Sequence, residues 1–163
     1  MKKTLALILF AATLILALTG CMQILGYSEI KYEFYQDTDT IESIELIKMT
    51  NSDYDFDDNG KEIITVYEFE ILTQVTDTKQ FLSDFESLMC FTMKKIVDLY
   101  PESDEYAVKI NYTNETAEII GAYGQVFIVN DTYIISDKAQ HFLEDEFNGL
   151  VEMYLASNNY FEI

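Results

Sequence analysis

Three features of this sequence predict an α+β domain, an antiparallel meandering sheet packed by two amphipathic helices, the longer at the C-terminus. Short apolar runs alternate with polar residues between turn residues. Two other stretches carry apolar residues at helical spacing behind a capping residue. A single proline in 163 residues leaves these elements almost uninterrupted. Twelve Tyr and 11 Phe supply enough bulk for one core of ordinary size.

The N-terminus comes first. Lys2 and Lys3 precede an apolar run of 14 residues, Leu5 to Leu18, which has the form of a secretory signal. A membrane-spanning helix needs about 20 residues. Extension through Met22, Ile24 and Leu25 would reach that length, so an uncleaved helix is the alternative. The tetrapeptide Leu18-Thr19-Gly20-Cys21 resembles the lipobox of bacterial lipoproteins, with an aliphatic residue, two small residues that fit a peptidase cleft, and a cysteine. That resemblance implies thioether-linked diacylglycerol on Cys21 and cleavage between Gly20 and Cys21, with N-acylation of the new terminus left open. No other cofactor is expected. Residues 1–20 are then a signal peptide and residues 21–40 a lipidated terminus and tether. The implied location is the outer face of the cell membrane, held by acyl chains.

The domain is expected over 41–163. Ile41 to Met49 reads as a strand, and so does Glu62 to Leu72, with Ile63, Tyr67, Phe69 and Ile71 on one face and Glu62, Glu68 and Glu70 on the other. Asn59-Gly60 between them is a hairpin signal. Asp77 with Gln80 caps a helix whose buried stripe is Phe81, Leu82, Phe85 and Leu88. Residues 89–97 could prolong that helix, but the spacing of Met89, Phe91 and Met93 favours a strand. Tyr106, Val108, Ile110 and Tyr112 alternate with Ala107, Lys109 and Asn111 in a further strand, and Ala117 to Ile135 reads as a meander. Turns are expected at 113–115, 121–124 and Asn130-Asp131. Ser136 or Asp137 should then cap one long helix, its apolar stripe running from Ala139, Phe142 and Leu143 to Tyr154 and Leu155. The two helix starts look alike, which fits either a duplicated unit or two solutions to one capping problem.

Charge bounds the partners. With 29 acidic residues against 10 basic ones the chain carries −19, which disfavours nucleic acid. Removal of residues 1–20 leaves 143 residues and 8 lysines against 29 carboxylates, or −21. There is no arginine, so bidentate Arg sites for carboxylate or phosphate are excluded.

Asp55, Asp57, Asn59 and Gly60 match the start of a calcium loop, but the twelfth position is Val66 where a bidentate glutamate is needed, and the flanks read as strands. A solvated acidic turn and a weak cation site both stand at this point. Cys90, the one thiol left beside lipidated Cys21, sits among apolar neighbours and reads as a small buried hydrophobe. His141 falls beside the stripe of the last helix, and a Cys90/His141 nucleophile pair would need the fold to bring the two together. No catalytic residues are expected, and the matches to N-x-[ST] at Asn111, Asn114 and Asn130 read as turn chemistry.

Phe81-Leu82, Phe85, Cys90, Tyr106 to Tyr112, Glu118-Ile119-Ile120, Gly124-Gln125 and a last helix with Phe142 and Tyr154-Leu155 come in an order that resembles small, uncharacterised proteins of low-G+C Gram-positive bacteria. The resemblance implies the α+β architecture only. The expected function is that of a non-catalytic, membrane-anchored protein-binding module, immunity-like or inhibitor-like, that meets a basic protein. The alternative is a lipoprotein that binds a cation or small solute. Replacing Cys21 by Ala is expected to abolish acyl labelling and membrane retention together, as read by fractionation and labelled palmitate. A processed, membrane-bound Cys21→Ala protein would overturn the lipobox assignment.

Overall fold

A computed structural model describes residues 27–56, 58, 60, 62–93, 105–136 and 140–158. The strands are β1 (Tyr27–Ile30), β2 (Ile41–Phe56), β3 (Glu62–Gln74), β4 (Cys90–Met93), β5 (Tyr106–Tyr112), β6 (Ala117–Ile120), β7 (Gln125–Val129), β8 (Thr132–Ile135) and β9 (Gln140–Phe142). The helices are α1 (Thr78–Phe85) and α2 (Glu144–Asn158), the second being the longer. The expected α+β class is therefore the observed one. Six strands form one antiparallel sheet in the order β3-β2-β5-β6-β7-β8, and three form a smaller one, β1-β4-β9.

Local chemistry explains most of the elements. Asp77 Oδ1 accepts the Gln80 backbone N–H at 3.0 Å, the expected cap, and Phe81 and Phe85 are fully buried one turn apart. Asn130 and Asp131 have φ of 51° and 59°, the pair of positive values that a two-residue hairpin turn between β7 and β8 requires. Asn114 Oδ1 accepts the Thr116 hydroxyl at 2.6 Å, so this N-x-[ST] match is turn chemistry, whereas Asn111 lies within β5. Of residues 89–97, residues 90–93 form a strand, as favoured, because β4 pairs on both sides, with β1 and β9, and residues 94–97 lie outside the described residues.

The large sheet is buried on both faces. One face carries Ile44, Leu46, Val108, Ile110, Tyr112 and Ile120 into the main core. There they meet Phe81 and Phe85 of α1, Phe147, Leu150 and Val151 of α2, and Phe142 of β9. The other face carries Ile47, Met49, Tyr67, Ala107, Ile119 and Val126 into a second core, supported by Phe69, Ile128, Tyr133 and Ile135. All of these belong to the same sheet, so the sheet curls until its edge strands approach. Tyr133 Oη donates to the Tyr67 carbonyl at 3.3 Å, and the two rings meet edge to face at 5.7 Å. Double-sided burial explains why all four residues of β6, Ala-Glu-Ile-Ile, are buried.

Three expectations need correction. Residues 27–40 are not a tether: β1 belongs to the small sheet and Tyr32 is 5% exposed in the core, so the folded unit begins well before Ile41. The one long helix expected behind Ser136 or Asp137 does not run through Gln140–Phe142; residues 137–139 lie outside the described residues. Instead β9 fills the free edge of β4, with Cys90 opposite Phe142 and Thr92 opposite Gln140, and α2 begins only at Glu144. An extended chain points Phe142 inward and leaves Leu143 at 42% exposure, where one continuous helix would have buried both. The likeness between the two helix starts thus has no structural counterpart. Finally, β2 runs past Met49 to Phe56. Its pairing with β5 ends at Lys48, and beyond that it pairs with β3 in a long hairpin arm that turns near Gly60, whose φ is +76°.

Phe85 lies at the junction of these layers, with ring contacts to Tyr32, Phe81, Phe142 and Phe147 at 5.1 to 6.3 Å. Phe85→Ala should destabilise the domain by about 3–5 kcal/mol, measured by urea unfolding. A loss below about 1 kcal/mol would contradict this packing.

Candidate functional site

Strand alternation directs Glu118 of β6 into the main core, where it has no exposed surface, between Tyr112 on β5 and Gln125 on β7. The Tyr112 hydroxyl donates to Oε1, which also accepts the Tyr35 backbone N–H at 3.3 Å. Oε2 accepts from the Tyr32 hydroxyl at 3.2 Å and from Gln125 Nε2 at 2.6 Å. Gln125 Oε1 in turn accepts from Gln140 Nε2 of β9 at 3.3 Å, and Gln140 Oε1 accepts the Glu33 backbone N–H at 2.8 Å. One network therefore joins the large sheet, the small sheet and residues 32–35.

Burial raises the Glu118 carboxyl above the ordinary value of 4.5 and outweighs the four donors that favour its ionised form. Burial, followed by the adjoining Glu118, pushes both Tyr32 and Tyr112 upward, so their hydroxyls stay protonated and donate. Every group here is engaged within the fold, and the main core covers the carboxylate. These residues position structure.

Cys90 is buried, as expected, and burial pushes its thiol up to about 11, so at neutral pH it lacks the thiolate a nucleophile needs. His141 is a strand residue of β9 rather than a helix residue. It lies opposite Phe91 and stacks on that ring at 5.6 Å, whereas Cys90 lies opposite Phe142. Directly opposed residues share a sheet face, so the thiol and the imidazole point to opposite sides of the small sheet. The geometry excludes the Cys90/His141 pair.

Asp55 is exposed near the end of β2, where its Oδ1 accepts the Phe56 N–H at 2.8 Å. Asp57 and Asn59 lie outside the described residues, as do Gly20 and Cys21. Among the described residues no three His, Cys, Asp or Glu side chains form a group that could hold a metal ion.

Among the described residues, two surface concavities bear on binding. On the face of the second core, a cleft of about 550 Å³ is lined by Glu42, Ser43, Phe69, Lys109, Asn111 and Tyr133, among others. Lys109 Nζ bonds Glu45 Oε2 at 2.9 Å and lies 5.3 Å from the Phe69 ring centre, and Asn111 Nδ2 donates to Ser43 Oγ at 2.9 Å. A cation, a carboxylate, an amide and a hydroxyl in one cleft can hold a polar solute. The polar side of β5, Lys109 and Asn111, marks that cleft in the sequence. Its partners Glu45, Ser43 and Phe69 become legible only once the register of β2 and β3 is known. The second concavity is a groove of about 550 Å³ where α1 and its following turn meet α2.

No protein-family model, curated protein or solved structure matches the chain.

Folding raises the Glu118 value, so its stabilising contribution is complete below 4.5 and is lost as pH rises through the folded-state value. The difference in unfolding free energy between wild type and Glu118→Gln should therefore shift against the wild type as pH rises from 4.5. A pH-independent difference in urea titrations would contradict this.

Proposed function

We propose that the chain is a membrane-anchored extracytoplasmic lipoprotein, held by lipid on Cys21. Its domain acts as a non-catalytic protein-binding module, immunity-like or inhibitor-like, that meets a basic partner. The observation that carries this proposal is the division of the acidic residues. Among the residues whose burial is described Glu118 is the only buried carboxylate, and its network holds the fold together. The remaining described carboxylates lie at least partly exposed, Asp53, Asp55, Asp58 and Glu68 among them on the hairpin arm. Surface charge of one sign steers association with a partner of the opposite sign and repels the anionic lipid beside the anchor.

A second reading, binding of a small polar solute, draws on the cleft around Lys109, Glu45, Asn111 and Ser43. Exposed charge pairs are screened within about 10 Å at 0.1 M salt. Crosslinking at intact cell surfaces is therefore expected to capture a basic protein in about 0.05 M salt and to lose most of it in about 0.5 M. Capture that is indifferent to salt would count against the acidic surface as the recognition element.

A further inference from the structure

Four apolar residues line the groove between α1 and α2: Leu88 and Met89 from the turn after α1, and Leu150 and Met153 from α2. Met89 is 41% and Met153 52% exposed, a large apolar surface to leave in water. Asp84 of α1 and Glu146 of α2 also line the groove, and no lysine does. The Asp84 carboxylate is held in place, one oxygen accepting from Tyr154 Oη at 2.6 Å and the other from Gln80 Nε2 at 2.9 Å.

Gly149 lies in the wall of the same groove, inside α2, where glycine is a poorer helix former than alanine. It does not have a positive φ, and a Cβ built on it would meet nothing within 4 Å, so no neighbour in the fold requires a glycine there. Its effect is to leave bare backbone beside two adaptable methionines.

We propose that this groove docks a cationic amphipathic segment of the partner protein, with apolar side chains seated between Met89 and Met153 against Gly149 and Lys or Arg groups facing Asp84 and Glu146. This rests on the reading of the domain as a protein-binding module and assigns the surface used. The occupant's sign follows from charge. A second copy, itself at −21 without residues 1–20, and an anionic lipid surface are both repelled, whereas a basic amphipathic helix matches an acid-edged apolar groove.

The test uses the full lipidated chain in phosphatidylcholine nanodiscs, with empty discs as the blank. The probe is a synthetic 18-residue peptide with a leucine face and a lysine face, and its control is a scrambled peptide of the same composition. The amphipathic peptide is expected to bind at least tenfold more tightly than the scrambled one. Gly149→Leu and Met153→Glu should each remove that preference. Gly149→Ala should raise the thermal midpoint by about 3 °C and still weaken binding several-fold, which separates the groove's role from folding.

Equal binding of the two peptides, or full binding by Gly149→Leu and Met153→Glu, would overturn the groove assignment. So would a dimer of the chain that Met153→Glu dissolves. If Gly149→Leu still captures the basic protein at the cell surface, the groove assignment fails and the protein-binding reading stands. If the wild type captures none, it is that reading which fails.

Discussion

A carboxylate with no exposed surface sits where the two sheets meet, and the arrangement around it follows from what such a group demands. Taking a charge out of water costs several kcal/mol unless its oxygens are fully hydrogen-bonded. Glu118 offsets part of that cost with four donors from three parts of the chain: Tyr112 on β5, Gln125 on β7, and Tyr32 and Tyr35 before β2. Removing any donor leaves the carboxylate under-satisfied, so the network is effective only when complete. The segment after β1 must therefore lie across the sheet, where Tyr35 stacks on Phe127 at 4.2 Å and Tyr32 on Phe142 at 5.4 Å. Gln140 extends the same constraint to β9 and holds the small sheet in register with the large one.

The small sheet and the helices cover one face of the large sheet, and the curl of the sheet covers the other. This leaves little of the sheet's surface for recognition. Among the described residues, the hairpin arm, the cleft around Lys109 and the groove between α1 and α2 are parts that neither core consumes. They differ in chemistry: the arm is acidic, the cleft holds a paired cation, and the groove is apolar with an acidic edge. Buried reactive groups go the other way. Cys90 is protonated by burial, and His141 is turned to the far side of its sheet.

Much of the fold was legible in the sequence. Asp77 with Gln80 marked the start of α1, the alternation from Tyr106 to Tyr112 marked β5, and Asn130-Asp131 marked a turn that the positive φ values bear out. The errors share a cause. Phe142 fits the start of a helical stripe as well as a strand, and the open edge of β4 decided between them. Tyr32, Phe34 and Tyr35 show no period because they fill gaps between elements rather than lie along one. Glu118 looked like one acid among 29.

By itself, then, the sequence determined the features governed by backbone geometry and near neighbours: strand alternation, helix stripes, caps, turns and the α+β class they compose. It also supplied the formal charge of −19. Tertiary structure alone decided which carboxylate is buried, which segment belongs to the core, which strand edge β9 fills and which concavities stay open. Those outcomes depend on contacts such as Tyr32 with Glu118 and with Gln125, 86 and 93 residues apart. A contact across that separation leaves no local period to read, and only the folded chain brings its two ends together.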